Sequence, residues 1–145
     1  MASAVRHTIQ TSGQGDAHDL TALVARAAGG ARSGLATVFV VGSTAAVTTI
    51  EFEPGAVADL NAVFERLAPR RGVYRHHERW GDDNGSSHVR AAMLGPSLTI
   101  PIVDGELTLG TWQQVMLLEL DTRPREREIV IQILQGEATA EGPCY

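Results

Sequence analysis

Apolar side chains recur at helical spacing in three stretches of the chain. The first, at positions 20–27, ends at Gly29-Gly30, a pair that favours helix termination. The second, at positions 57–67, stops before a proline, which cannot continue a helix. A shorter stretch begins at Ser86 or Ser87 and stops at the following glycine. The pattern therefore predicts two main helices and one short helix.

Runs of β-branched and aliphatic residues between these helices predict strands. The strands are expected at 5–11, 35–41, 46–52, 97–103, 106–109, 111–120 and 128–134. Turn residues at Asp104-Gly105 and Arg123-Pro124 join the later strands into hairpins, and hairpins are antiparallel. We predict an α+β fold whose mostly antiparallel sheet is barrel-like or sandwich-like and carries the helices.

The length of 145 residues and the hydrophobic content of 43% suit one domain with its own core. We place this domain at 1–136 and expect 137–145 to be a flexible C-terminal tail. No segment offers the roughly 20 apolar residues of a membrane-spanning helix, and residues 1–10 lack the apolar run of a signal peptide. We therefore expect a cytoplasmic protein that does not bind membranes.

The charge balance narrows the classes of function. A net charge of −5 and a pI near 5.5 argue against nucleic-acid binding, which needs a basic surface. All 12 basic residues are arginine, so no lysine amine is present for Schiff-base chemistry. The single cysteine, Cys144, lies next to the C-terminus, so no internal disulfide can form and a catalytic thiol is not expected.

The most reactive set of side chains lies where hydrophobicity is lost, between positions 70 and 88. Its imidazoles, carboxylates and amide are His76, His77, Glu78, Asp82, Asp83, Asn84 and His88. Such groups are ligands for zinc or magnesium. The alternative is a solvated loop in which one histidine packs under Trp80 or Tyr74 and the others face water.

Two further features are candidates for ligand binding. The small-residue turn Gly42–Ala46 joins two predicted strands, and its N–H and hydroxyl groups could hold an anion, although a simple tight turn is the favoured explanation because such turns are common. The charged segment 121–127 contains arginines suited to phosphate, or is an exposed hairpin end. Glu51 lies in an apolar strand context, so its carboxylate must be paired, coordinated or exposed.

The segment from Ser97 through the Gly110-Thr111-Trp112-Gln113 run closely resembles the signature of the YjbQ-like family in residue types and spacing. The resemblance covers nearly the whole chain and extends to Asp19–Thr21, Ser43–Ala45, Glu51, Asp59, Tyr74–His76, Asn84 and His88. One position departs from it, because many members carry a histidine where this chain has Gly42.

The resemblance implies a compact α+β protein with a barrel-like sheet, assembled as a homotrimer with a polar cleft near the subunit boundaries. Family members are called secondary thiamine-phosphate synthases. The reaction joins hydroxymethylpyrimidine diphosphate to a thiazole phosphate, gives thiamine phosphate and releases pyrophosphate. The expected partner is therefore a small phosphorylated molecule.

The resemblance also implies site residues. Glu51, His76 and His88 are expected to be catalytic, and the same three residues, or an acidic loop residue in place of Glu51, would hold a divalent ion, zinc or magnesium. The residues expected to contact substrate or phosphate are Ser43, Thr44, Asn84, Arg90 and Gln113. The competing hypothesis is a trimer that binds a metal or a phosphorylated metabolite without catalysis.

Overall fold

A computed structural model of the protein describes residues 1–136, and the predicted tail at 137–145 lies outside the described residues. The elements, in chain order, are β1 (Ala2–Gln10), β2 (Ala17–Asp19), α1 (Thr21–Ala28), β3 (Gly34–Val41), β4 (Ala45–Ile50), α2 (Pro54–Leu67), α3 (Arg75–Trp80), α4 (Gly85–Leu94), β5 (Ser97–Val103), β6 (Glu106–Leu107), β7 (Gln114–Glu119) and β8 (Glu126–Gln135).

Five strands form the larger sheet in the order β1-β8-β3-β5-β6, and every pair is antiparallel. Side chains alternate between its two faces. In β3, for example, Val38 and Val40 are fully buried, whereas Phe39 and Val41 are exposed. One face of this sheet therefore covers the core, and the other is an exposed surface with apolar side chains.

The smaller sheet has the order β2-β7-β4, and β7 and the first half of β4 are buried on both faces. In β4, Val47 belongs to a core cluster that it shares with the larger sheet, whereas Ala46 belongs to a second cluster with Phe64 of α2. A strand buried on both faces is continuously apolar, as is the Val115–Leu118 part of β7.

The chain thus forms layers around two connected cores. The first core lies between the two sheets and includes Leu20 and Val24 from the α1 segment. The second lies between the smaller sheet and the pair α2 and α4, where Phe64 and Ala91 meet Met116. These layers confirm the predicted single-domain α+β fold with a curled antiparallel sheet.

The helices differ from the prediction in number. The described residues contain four helices, because the stretch expected to be a loop contains α3. This helix has six residues and none of them is buried, so it leaves no apolar period in the sequence. The expected start of α4 at Ser86 or Ser87 is in fact Gly85.

The strands differ mainly at their ends. The β2 strand was not predicted because three residues are too few to show alternation. The run predicted as a strand at 111–120 forms β7 only over Gln114–Glu119. No helix in residues 1–136 is long and apolar enough to span a bilayer.

Candidate functional site

Two histidines from different helices meet beside α4. The ring centroids of His76 in α3 and His88 in α4 lie 4.6 Å apart, with 40° between the ring planes. The Nδ1 atom of His76 lies 2.9 Å from the Oδ1 atom of Asp82. Both atoms are buried and, among residues 1–136, neither makes a well-aligned hydrogen bond, so the two atoms are close without a standard hydrogen bond. A carboxylate therefore lies beside one imidazole of the pair.

The neighbouring histidine faces elsewhere. The Nε2 atom of His77 accepts a hydrogen bond of 3.3 Å from the backbone N–H of Gly85, the first residue of α4. The ring of His77 also packs against Tyr74, with centroids 5.6 Å apart. His77 therefore has a structural role at the start of α4, as expected if one histidine packed under Tyr74. His76, and not His77, is the partner of His88.

Ser43 and His88 share a cavity of about 340 Å³. Its remaining walls are mostly small and apolar, with Ala45 from β4, Ala91 and Ala92 from α4. The turn before β4 and the exposed side of α4 thus bring two of the predicted site residues together. The cavity combines a hydroxyl and an imidazole with apolar walls, which is a common composition for a small-molecule site.

Two predicted phosphate ligands are bonded inside the fold instead. The hydroxyl of Thr44 is buried, donates to the Oδ2 atom of Asp121 over 2.9 Å and accepts from Nη2 of Arg127 over 2.8 Å. The hydroxyl therefore has two protein partners. Burial of the Asp121 carboxyl by itself would raise its pKa. The hydrogen bond from Thr44 and the charge of Arg125 together lower the pKa by more, so it lies below its ordinary value.

Arg90 is the second such residue, with only 2% of its surface exposed. Its Nε atom donates to the carbonyl of Ala68 over 2.9 Å and its Nη2 atom donates to the Oε2 atom of Glu65 over 2.6 Å. The hydrogen bond from Arg90 lowers the pKa of Glu65. Arg90 therefore joins α4 to α2, and a phosphate contact by this residue stays a prediction.

The remaining predicted residues lie at separate points. Asn84 precedes α4, and its buried Oδ1 atom has no hydrogen-bond partner among residues 1–136. Glu51 follows β4 and is exposed, which is one of the three environments expected for it. Gln113 lines a different cavity, of about 350 Å³, and bonds to Thr49 over 3.2 Å.

Metal binding by His76, His88 and Glu51 also stays a prediction. Within the described part of the chain, no three His, Cys, Asp or Glu side chains are grouped so that they could hold a metal ion. The donor types at the histidine pair nevertheless suit zinc, because two imidazoles and the Asp82 carboxylate are present and the Nδ1 atom of His76 is buried without a hydrogen bond.

The most deeply buried ion pair was missed by the sequence analysis. Glu119 is fully buried, and its carboxylate accepts from Nε of Arg127 over 2.7 Å and from Nη2 over 2.6 Å. The hydroxyl of Thr11 donates to the same carboxylate over 2.7 Å. A carboxylate within an apolar strand needs a partner. The sequence analysis expected this of Glu51, whereas the residue with such a partner is Glu119.

Comparison with known proteins identifies the family. Residues 5–136 match the sequence profile of the family described as UPF0047 protein YjbQ-like. A UPF0047 protein of Methanothermobacter thermautotrophicus is 35% identical over 127 residues, which cover 86% of this chain and 87% of the relative. The chain belongs to the YjbQ-like family.

Solved structures agree with this membership. A hypothetical protein from Aeropyrum pernix K1 is 31% identical, with a TM-score of 0.84 over 92% of this chain and 99% of that chain. An uncharacterised conserved protein of the YjbQ/UPF0047 family from Clostridium acetobutylicum is 30% identical, with a TM-score of 0.79 over 90% of this chain and 99% of that chain. The YjbQ-like fold therefore spans nearly all of the chain.

The structure also gives a physical account of the departure at Gly42. This glycine has a φ of 150°, and a Cβ atom built on it would lie 2.8 Å from Nη1 of Arg127. A side chain at this position therefore needs the guanidinium group to move. In this YjbQ-like chain, Arg127 lies close against the backbone at Gly42, where the resemblance leads us to expect a histidine.

Proposed function

We propose that this YjbQ-like protein is an enzyme that acts on a phosphorylated small molecule in the cleft formed by His76, His88 and Ser43. The observation that carries the proposal is the histidine pair, because the two imidazoles lie 4.6 Å apart and one of them, His88, lines a cavity large enough for one aromatic ring. The specific reaction we propose is that of a secondary thiamine-phosphate synthase, as the family resemblance implies.

In this reaction the thiazole nitrogen attacks the methylene carbon of the pyrimidine substrate. A C–N bond forms, the C–O bond to the diphosphate breaks, and pyrophosphate leaves with the bonding electron pair. The transition state thus needs positive charge or N–H donors near the leaving oxygen. His88 is placed to supply a donor, and the Ser43 hydroxyl lines the same cavity.

The carboxylate of Asp82 lies beside the pair, with its Oδ1 atom 2.9 Å from Nδ1 of His76. This close contact limits the positions that the His76 ring can take. A divalent ion, when bound, would neutralise the pyrophosphate charge. His76 and His88, with Glu51 or Asp82, would hold such an ion.

The apolar walls of the cavity suit the substrates. Ala45, Ala91 and Ala92 leave space for a flat heteroaromatic ring and exclude water from one of its faces. Holding two rings within reaction distance is itself a large part of catalysis for a two-substrate reaction. The cavity volume of about 340 Å³ suits one ring, so the second would bind towards the open side.

The alternative function is a non-catalytic protein that binds a metal or a phosphorylated metabolite. It is favoured by the internal hydrogen bonds of Thr44 and Arg90, which leave fewer groups to stabilise a leaving phosphate. This alternative predicts stabilisation by the ligand without turnover, because binding to the native state alone raises stability.

We extend the proposal to a homotrimer, the assembly that the resemblance implies. The outer face of the larger sheet exposes Leu35, Phe39 and Val41 by 42%, 41% and 47%. Clustered exposed apolar side chains of this kind are typical of a subunit interface. Light scattering coupled to gel filtration should give three times the monomer mass, and Phe39→Asp should reduce it; a monomeric wild-type protein would refute the assembly.

A turnover assay with both thiamine-phosphate precursors tests the proposed function, together with elemental analysis of the purified protein. We expect thiamine phosphate and pyrophosphate in equal amounts from the wild type and from the control His7→Ala in β1. We expect a rate at least about 100-fold lower for His88→Ala, the usual scale for loss of a general acid. Ligand binding without product would support the non-catalytic alternative.

A further inference from the structure

A second cavity, of about 490 Å³, borders α3. It is lined by Arg70, Arg71, Gly72, His77 and Asp83. Successive residues of a helix point about 100° apart, so His76 and His77 serve different places. The second cavity shares no lining residue with the cavity of Ser43 and His88.

The charge around this cavity is positive, although the whole chain carries a net charge of −5. Its one lining carboxylate, Asp83, already accepts a hydrogen bond of 3.0 Å from the Thr122 hydroxyl. Arg123 approaches the same Asp83 oxygen to 3.6 Å and adds a third guanidinium group at the rim. Glu65, whose carboxylate accepts from the backbone N–H of Arg70, is already paired with Arg90 over 2.6 Å. The three guanidinium groups against Asp83 therefore leave about two positive charges, which match a phosphate monoester dianion.

The backbone holds the two lining arginines in place. The N–H of Gly72 donates to the carbonyl of Pro69 over 3.0 Å, which closes a turn with Arg70 and Arg71 at its centre. The hydroxyl of Tyr74 donates to the same carbonyl over 2.7 Å. The arginine backbones are therefore fixed before a ligand arrives, which lowers the entropy cost of binding.

His77 adds an N–H donor, and the nitrogen that carries the proton follows from its hydrogen bond. Because Nε2 accepts the hydrogen bond from the N–H of Gly85, the proton of the neutral ring must lie on Nδ1. The first turn of α4 begins at this same Gly85 and places the positive end of the helix dipole beside the ring. Guanidinium groups, an imidazole N–H and a helix N-terminus all favour an oxyanion.

We propose that the cavity of Arg70, Arg71 and His77 binds the phosphate group of a small phosphate monoester, at a site separate from the His76–His88 cleft. The guanidinium groups bind the phosphate oxygens, and Asp83 is placed to accept from a hydroxyl or amino group of the same molecule. A volume of about 490 Å³ admits a ligand of that size. The inference does not depend on the proposed catalytic activity.

The test is calorimetric titration with inorganic phosphate at constant ionic strength, with sodium chloride as the screening control. The protein carries His76→Ala and His88→Ala, so that the cleft cannot contribute the signal. We expect saturable binding that weakens at least about tenfold in the Arg70→Gln/Arg71→Gln variant, since each charge-assisted bond lost is of that scale. The double variant Arg26→Gln/Arg32→Gln removes the same charge elsewhere and should bind normally.

The single variant Arg71→Gln separates a binding effect from a folding effect. Arg70 also donates to the carbonyl of Thr122 over 3.4 Å, so its removal could disturb the fold, and the single variant keeps this contact. Its circular dichroism spectrum should match that of the parent while its phosphate affinity falls. Equal affinity in parent and Arg71→Gln proteins would overturn the proposal, as would an equal loss in the Arg26→Gln/Arg32→Gln control. Absence of saturable phosphate binding to the parent would also overturn it, whatever the turnover assay gives.

Discussion

Removing Arg127 should be among the most damaging single changes available in this protein. Arg127→Leu leaves the fully buried Glu119 carboxylate without the two hydrogen bonds of 2.7 and 2.6 Å that neutralise it. Breaking a buried ion pair on one side costs about 3–5 kcal/mol. A domain of this size loses about 2–4 °C in melting temperature per kcal/mol, so we expect a decrease of about 6–20 °C.

The cost should come from the orphaned charge rather than from the arginine itself. The double variant Glu119→Leu/Arg127→Leu removes both charges, so it should recover part of the loss. It still removes the acceptor of the buried Asp121 N–H, which leaves a deficit of about 1–3 kcal/mol, whereas the Thr11 hydroxyl keeps the carbonyl of Arg125 as its acceptor over 3.0 Å.

The matched control is Arg6→Leu, the same substitution at an exposed ion pair. Arg6 contacts Glu128 over 2.6 Å, but the side chains are 69% and 41% exposed. Such pairs contribute about 0–1 kcal/mol. Thermal melts and urea denaturation, both followed by circular dichroism, measure all three variants. The reasoning is refuted if Arg127→Leu costs no more than Arg6→Leu, or if the double variant is less stable than Arg127→Leu.

Two further predictions concern the elements around the site. The pKa of Asp121 lies below its ordinary value of 3.8, so its ionised form stabilises the fold above that pH and this contribution is lost as pH falls through the lowered pKa. Asp121→Asn should therefore destabilise the protein at pH 7, and in acid denaturation its free energy of unfolding should depend less on pH below about pH 4 than that of the wild type. An unchanged pH dependence in that range would contradict this prediction. In Gly85→Ala, the new Cβ would lie 2.6 Å from the Tyr74 Cβ, so we expect a loss of about 1–3 kcal/mol in thermal melts. In the control Gly110→Ala, the nearest atom to the new Cβ would be 3.6 Å away, which is an ordinary contact distance. Equal melting temperatures for the two glycine variants would show that the α3–α4 contact adapts freely.

The sequence predicted the elements that bury an apolar face. Helix α2 and strands β3, β5 and β8 leave clear periods because their buried residues recur at the spacing of the element. Helix α3 buries none of its residues, so no period marks it. Its position depends on contacts with α4, such as the hydrogen bond from Gly85 to His77, that no local pattern contains.

The candidate site was only partly predictable for the same reason. Residue chemistry identified His76 and His88, but separating His76 from His77 required the direction in which each ring leaves α3. Thr44 and Arg90 carry groups that suit phosphate, yet their hydrogen bonds lead into the fold. Whether an arginine binds a ligand or a neighbouring helix depends on tertiary packing, which residue type does not encode.

The central claim is that the His76–His88 cleft binds a phosphorylated substrate, and a single calorimetric comparison tests it directly. Hydroxymethylpyrimidine diphosphate is titrated into three proteins that all carry Arg70→Gln and Arg71→Gln, namely the parent, His88→Ala and the control His7→Ala. We expect saturable binding to the parent and the control and at least about tenfold weaker binding to His88→Ala. Equal affinity in all three proteins would show that the substrate binds outside this cleft.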